Sequence, residues 1–481
     1  YRSDLHLALE LLTKRQLDVI HSSALDILEK IGVKVLTKQA LKIFSDAGAH
    51  VDEKSGIVKI PSHIVEEAIK KTPKSLKLVG RDEKNKIFLE RGRTYTRSST
   101  GLMNILDLES GEWRKANIND VLIVARIIDY LDRISINSTH LFPSDVPLEA
   151  CDVYSFKTVL ENSSKHIVVS PLELENLRSI WNMASVIMDE ESLRKSPLFS
   201  VLNCPNSPLI LRDDISIFCA KYHIPTIVNS APIVGVSSPI TLAGTMVQQS
   251  AEALATITLL QLVSPGSPVI WGCKSTPLDM RYGSPLAGAV EIGLLSAGAV
   301  QVAHYYDLPA EGFGPRTDSK VLDEQAGIER VFVGLLPALA GAEIISGAGC
   351  LEAVATLSIE QLLIDNEFYG MMFRALKGID FGDDKLAIDV IARVGIGGNY
   401  LKDISTAKHY RGEFFIPSLF DKRDRYAWKS SGAKRVEQIA KERAKKILSE
   451  YEPMPLSKEE KEKLNNILKE FEKKINKVVK R

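Results

Sequence analysis

The chain is poor in the patterns that announce a chemistry. Its five cysteines, Cys151, Cys204, Cys219, Cys273 and Cys350, are scattered, with no C-x-x-C pair. That argues for reduced, mostly buried thiols and against a disulfide framework. No H-E-x-x-H, H-x-H or Cys/His cluster is present, so no metal site is expected. Without a G-x-S-x-G elbow or a Walker loop, the chain does not read as a serine hydrolase or a P-loop enzyme. No apolar run approaches a membrane span, and no signal-peptide pattern opens the sequence. A cytoplasmic protein is expected. An excess of one charge is missing too: Lys plus Arg and Asp plus Glu both number 61. Net charge therefore gives no reason to propose nucleic acid or an anionic membrane as partner.

What is present is ordinary globular composition, 45% hydrophobic and 25% charged over 481 residues, enough for one large domain with attachments. Three textures divide it. Residues 1–92 read as a helix-rich accessory region. In "LTKRQLDVIHSSALDILEKIG" the apolar positions recur near 3.6, with Thr13 as N-cap and Gly32 as stop. "SHIVEEAIKKTP" repeats the scheme between Ser62 and Pro73, and short strands are expected at Leu76–Val79 and at "KIFLE".

Residues 93–400 alternate short apolar runs with helical stretches. The candidate strands begin near Arg133, Lys165, Phe199, Pro225, Pro268, Ala299 and Gly341. They are apolar on both faces, as in a buried parallel sheet. Seven such units fit a (β/α)8 TIM barrel. The eighth strand is either "TYTRSST" near Thr94 or a segment after Gly378. A doubly wound open sheet is the alternative, but no G-x-G-x-x-G follows a first strand. Residues 401–481 form a charge-rich C-terminal helical extension, its helices packed by one stripe on the barrel or on another subunit. A homo-oligomer is expected.

In a barrel, chemistry sits at the C-terminal ends of the strands. The residues following the apolar runs are Asn137, His140, Ser170, Asn203, Cys204, Asn229, Ser230, Trp271, Gly272, Lys274, His304, Tyr305, Tyr306 and Asp307. Then come the loop "EGFGPRTDSKVLDEQAG", with Gly314, Arg316, Asp318 and Lys320, and the stretch Gly347, Gly349 and Glu352. The loop is expected to overhang the mouth, with Asp318 or Ser319 capping the next helix. Acid-base machinery is sparse. His166 lies inside an apolar strand and suits a core histidine, whereas His304 could face mouth or core. Aromatics are 7% of the chain, yet Trp271, Tyr282, Tyr305, Tyr306 and Phe313 fall at or after strand ends. Aromatic faces attract quaternary ammonium groups; plain packing explains any one ring as well.

Several collinear segments resemble a known family. They are "LTKRQLDVIHSSALDILEKIGVKV", "FSDAGAHVDEKSGIVKIPSHIVEEAIKKTP", "VGRD", "GTMVQQSAEALA", "TDSKVLDEQAGIE", "LLPALAGAEIISGAG" and "LSIEQLLIDNE". Together they resemble the trimethylamine methyltransferase family, from Leu12 to about Lys446. The resemblance implies a (β/α)8 barrel that moves a methyl group from a methylated amine to the cobalt of a separate corrinoid protein. No cofactor would then be bound by this chain. In trimethylamine-specific members the same loop holds pyrrolysine just ahead of a Ser-Asp-Ala-Lys stretch. Here the stretch is "TDSK" and Arg316 takes that place. Arginine is not an electrophile and stays protonated. The resemblance thus implies a quaternary amine, betaine- or carnitine-like, as methyl donor instead of trimethylamine. The expected substrate contacts are Trp271, Tyr305, Tyr306, Phe313, Arg316, Asn229, Asn203 and His304. Arg316 either grips a carboxylate or braces the loop against Asp318 or Asp307. Two rival readings stand: a non-catalytic barrel sensing quaternary-amine osmolytes, and a phosphate-handling lyase. The lyase would need a lysine with a buried acid deep in the barrel, and Lys274 and Lys320 show no such acid in sequence.

Overall fold

Short strands that are apolar on both faces need cover on both faces, and closure into a barrel supplies it. The computed structural model describes residues 9–479. Eight parallel strands form the sheet: β1 Tyr95–Ser98, β2 Ile136–Ser138, β3 His166–Val169, β4 Phe199–Asn203, β5 Thr226–Val228, β6 Val269–Trp271, β7 Glu311–Phe313 and β8 Ile344–Ala348. Neighbours in sequence pair in space, β8 pairs back with β1, and a parallel bridge between Trp271 and Ala310 joins β6 to β7. One long helix follows each strand: α1 Ile118–Tyr130, α2 Cys151–Asn162, α3 Leu174–Ile187, α4 Asp213–Tyr222, α5 Leu242–Val263, α6 Val290–Tyr305, α7 Glu324–Leu339 and α8 Ile359–Leu376. This is the (β/α)8 barrel expected from the strand pattern. "TYTRSST" supplies the unplaced strand, and it is the first of the eight.

One expected strand is a helix. The run from Ala299 forms the second half of α6, and the seventh strand is Glu311–Phe313, inside what the sequence suggested was a loop. The cause is ambiguity of period. A short, wholly apolar run suits a buried helix as well as a buried strand. Here "VEIGLLSAG" extends it upstream into a sixteen-residue helix whose buried side chains lie almost all around it.

Below the mouth the barrel interior is filled by one apolar layer. Ile136, Val168, Ile227, Ile270 and Ile344 meet Leu78, Ile87 and Leu89 of the antiparallel hairpin Leu76–Val79/Lys86–Leu89. The hairpin plugs the end at which the strands begin. His166 is buried there, its ring nitrogens 3.0 Å from the Val79 carbonyl and 2.7 Å from Ser200 Oγ. Burial pushes its pKa down to about 4, as suits a neutral core histidine. The N-terminal helix Lys14–Asp26 opens on a Thr13 capping box with Gln16 and packs on α5. Helices Val436–Glu450 and Lys458–Val479 lie against α8 and α1, and against α3 and α2, respectively. Their apolar stripes are therefore used on the same barrel.

Leu89 is fully buried in the plug. Leu89→Ala is expected to lower the free energy of unfolding by about 2–5 kcal/mol. Leu36→Ala, at a residue 59% exposed, should change it by no more than about 0.5 kcal/mol. Urea denaturation of both variants checks the contrast.

Candidate active site

Side chains alternate in and out along a strand, so the inward positions above the apolar layer decide what the mouth can do. There the barrel brings together three charged side chains. Arg97 of β1 donates from Nη2 to Glu311 Oε1 of β7 at 2.6 Å and from Nε to Oε2 at 3.2 Å. Lys274, just beyond β6, donates to the same Glu311 oxygen and to Ser346 Oγ of β8 at 2.8 Å. Arg97 Nη1 reaches Ser138 Oγ of β2 at 3.0 Å. The three charged side chains are at most 5% exposed.

Burial alone would raise the Glu311 carboxyl, but the Arg97 and Lys274 cations hold it down at about 2. Burial drives the Lys274 ammonium the other way from its usual basicity, to about 7. Glu311 opposes that fall, while Arg97 and Arg316 add to it. Asn229 lines the same interior and donates from Nδ2 to Cys204 Sγ at 3.1 Å. Its Oδ1 is buried without a partner.

The loop after β7 sits over this cluster. Its backbone is pinned. Gly314 N donates to the Ser346 carbonyl at 2.5 Å, and a Cβ at Gly314 would stand 2.6 Å from that oxygen. Glu329 of α7 accepts from Thr317 Oγ1 at 2.6 Å and from Asp318 N at 2.8 Å. Arg330 of α7 donates to the Pro315 carbonyl at 2.9 Å and pairs with buried Asp365 of α8 at 2.8 Å. The Arg316 side chain, by contrast, has no acceptor among the described residues. Its guanidinium lies 4.1 Å from the centre of the Phe313 ring, and its Nε is buried and unpaired. Gly347, at φ +133°, makes room for it; a Cβ there would come within 3.1 Å of Nε. Arg97, Lys274 and Arg316 thus face one carboxylate, Glu311; of the four, Arg316 alone is partly exposed.

Several expected contacts lie elsewhere. Because α6 replaces the expected strand, His304, Tyr305 and Tyr306 stand at the end where strands begin, away from the mouth. His304 Nε2 lies 3.1 Å from Glu343, Tyr305 donates to Asp18 at 2.9 Å, and Tyr306 stacks obliquely on Trp271 with centroids 5.5 Å apart. Trp271 belongs with Tyr306 to the core outside the sheet. Asn203 also points outward, donating to Ser216 Oγ of α4 at 2.7 Å. The four rings form no cage; Phe313 alone joins Arg316, and Asn229 is in the barrel interior. Neither brace proposed for Arg316 exists. Asp318 accepts from Ala287 N at 2.6 Å, and Asp307 is 3.9 Å from Arg91. Lys320 is exposed and donates to the Asp318 carbonyl at 2.8 Å. The helix cap is Asp323, not Asp318 or Ser319.

Arg97, Ser138, Glu311 and Ser346 were not singled out from sequence. A charged residue inside each of two short strand-like stretches, "TYTRSST" and "PAEGF", was the available signal. Lys274 does have the buried acid that sequence did not reveal. Among the described residues no three His, Cys, Asp or Glu side chains group as a metal-ligand set.

A closed barrel with buried charges converging at the C-terminal ends of its strands has the architecture of a barrel enzyme acting on a small molecule. Residues 5–475 match the trimethylamine methyltransferase family, and the chain belongs to it. It is 37% identical to a trimethylamine methyltransferase of Desulfitobacterium hafniense strain DSM 10664 / DCB-2, over 95% of this chain and 93% of that one. With a trimethylamine methyltransferase of Methanosarcina thermophila the identity is 36%, over 93% and 94%. A glycine betaine methyltransferase of Desulfitobacterium hafniense strain Y51 is 29% identical, over 93% and 94%.

Removing one partner of a buried ion pair strands the others. Glu311→Gln is expected to lower unfolding free energy by about 3–5 kcal/mol, and Glu311→Gln with Lys274→Met should recover part of the loss. In the native chain the stabilisation from this carboxylate is complete above its ordinary pKa of 4.5 and is lost as pH falls through about 2. Denaturation curves of the wild type and Glu311→Gln between neutral and acid pH should therefore converge at low pH.

Proposed function

We propose that this chain transfers a methyl group from a carboxylate-bearing quaternary amine, betaine- or carnitine-like, to the reduced cobalt of a corrinoid held on a separate protein. The observation that carries the reading is the Arg316 guanidinium, fixed on Phe313 and lacking an acceptor in a cluster of three cations and one carboxylate. Such a cluster favours an anion and disfavours a bare cation. A guanidinium takes a carboxylate through two parallel hydrogen bonds. Because the Phe313 face is already occupied by Arg316, the carboxylate is the substrate group that this site grips.

By the resemblance, Arg316 stands where trimethylamine-specific members carry pyrrolysine. Arginine cannot supply an electrophilic imine. A quaternary amine needs none, since breaking one C–N bond leaves the electron pair on nitrogen and releases a neutral tertiary amine. Reduced cobalt on the partner supplies the nucleophile. The barrel's share is to hold the donor in line and keep its carboxylate fixed. The named glycine betaine methyltransferase among the relatives supports this reading. The higher identities to trimethylamine methyltransferases weigh less, because identity summed over the chain reports mainly shared fold. A lysine and acid pair is also what a lyase on this fold would use; the family match over residues 5–475 favours methyl transfer.

Assay with cob(I)alamin, followed by the absorbance change to methylcobalamin, is expected to show turnover of betaines or carnitine and none of trimethylamine. Turnover of trimethylamine with betaines inert would overturn the proposal. Elemental analysis of the purified chain is expected to show no stoichiometric cobalt or zinc.

Carboxylate recognition has its own test. A bidentate, charge-assisted contact contributes roughly 1.5–3 kcal/mol, or about 10-fold to 150-fold preference for a betaine over choline. Arg316→Lys keeps the charge but loses the fork and should weaken betaine binding selectively. Arg316→Ala should abolish the preference. Equilibrium binding of glycine betaine and choline to the three proteins measures it; an unchanged ratio would assign the carboxylate contact to another residue.

A further inference from the structure

Three consecutive residues after β8 hold a backbone conformation that side chains oppose. Glu352, Ala353 and Val354 have φ of +53°, +50° and +73°. This left-handed region is visited routinely by single glycines and occasionally by Asn or Asp. For a β-branched residue such as Val354 it is a genuine outlier. The three residues lie in a four-residue connection, 352–355, between the antiparallel strands Cys350–Leu351 and Thr356–Ser358. Hairpin loops of that length are most often built around a type I turn, so reversing the chain does not require the left-handed run.

What the run does is aim two amides. Glu352 N donates to the Ser319 carbonyl at 2.8 Å, and Ala353 N donates to the Thr317 carbonyl at 3.0 Å. Both acceptors belong to the loop after β7, on the residues just beyond Arg316. The base of the hairpin is firm. Thr356 pairs with Asn104, whose N and Nδ2 donate to the Ala355 carbonyl at 3.1 and 3.2 Å. Thr356 Oγ1 donates to Glu352 Oε2 at 2.6 Å. Arg330 of α7 donates from Nη2 to the Cys350 carbonyl and from Nη1 to that of Pro315. The carbonyls on either side of Arg316 are thus held by different elements, that of Pro315 by α7 and that of Thr317 by the hairpin tip.

We propose that the left-handed run 352–354 is a strained latch that positions Arg316. Strain of this kind persists only where the surrounding structure over-determines it. Here a firm base and two loop carbonyls do so. Relaxation of the run into an extended or right-handed conformation turns both amides away, frees Thr317 and Ser319, and loosens Arg316 over Phe313. Glu352, Ala353 and Val354 are positioning residues that act through the loop backbone. That Arg316 grips a carboxylate rests on the function proposed above; control of the loop by the run does not.

Amide hydrogen exchange of the full chain, read on peptides spanning residues 316–320, tests the latch. Ala353→Gly relieves one strained residue and is expected to slow exchange in the loop by about fivefold to thirtyfold. Ala353→Pro removes the donor to Thr317 and drives Glu352 out of its conformation. It is expected to speed exchange there and, with Arg316 loosened, to bring the glycine betaine to choline binding ratio toward one. A run that only closes the hairpin would shift the thermal midpoint and leave loop exchange and binding ratio alone. Unchanged loop exchange in Ala353→Gly, or faster exchange in Ala353→Pro with the wild-type ratio kept, would overturn the proposal. A wild type that binds glycine betaine and choline equally would overturn carboxylate recognition by Arg316, and exchange in Ala353→Gly would still decide the latch. The same variant decides it if Ala353→Pro does not fold.

Discussion

One carboxylate organises the middle of this barrel. Glu311 projects from β7 into a space where water is excluded, and it stays ionised because Arg97 arrives from β1 and Lys274 from beyond β6. The pairing is not cheap, since each charge gives up its hydration. Its value lies in what it fixes. A single anion shared by two cations sets the positions of side chains from separate staves, and the hydroxyls of Ser138 and Ser346 complete their donors. With Glu311 fully used in this way, Arg316 is left without a counter-charge. The unsatisfied guanidinium at the mouth is thus a consequence of how the interior is neutralised.

The loop carrying Arg316 shows how a free charge can be held in place. Its backbone bonds run to α7, to β8 and to the segment after β8, while Arg330 and Asp365 form a buried pair behind it. Nothing in that set touches the Arg316 head group. A cation kept partly desolvated and unpaired carries a cost, which a counter-charge from outside the chain would remove. Phe313 and the space above Gly347 define the position of the side chain in advance of any counter-charge. Preorganisation of this kind shifts the energetic burden from binding to folding.

How much of this the sequence disclosed depended on the length and purity of each signal. Strands at Lys165, Phe199 and Pro268 were legible because apolar runs there are bounded by Pro, Gly or charge. Residues 299–306 misled because the same apolarity serves a helix buried on most sides, and that error moved His304, Tyr305 and Tyr306 from one end of the barrel to the other. Glu311 was hidden for a related reason. A three-residue strand beginning with an acid looks like loop, and the register that turns Glu311 toward Arg97 is set by pairing with β8, more than thirty residues away. Arg316 could be found because it stands out in a family motif, but its lack of a partner is a fact of three-dimensional packing alone.

The two ends of the barrel carry different work, and the chain keeps them apart. The hairpin Leu76–Val79/Lys86–Leu89 seals the end where the strands begin, and the charged cluster lies toward the other end, beside Arg316. The segment after α8 returns to that sealed end, where Arg374 donates to the Glu413 carbonyl and Arg133 lies over the Phe415 ring. With one end closed by an apolar plug and the other lined by Arg97, Lys274, Glu311 and Arg316, the barrel keeps its packing and its charges at opposite ends of the same strands.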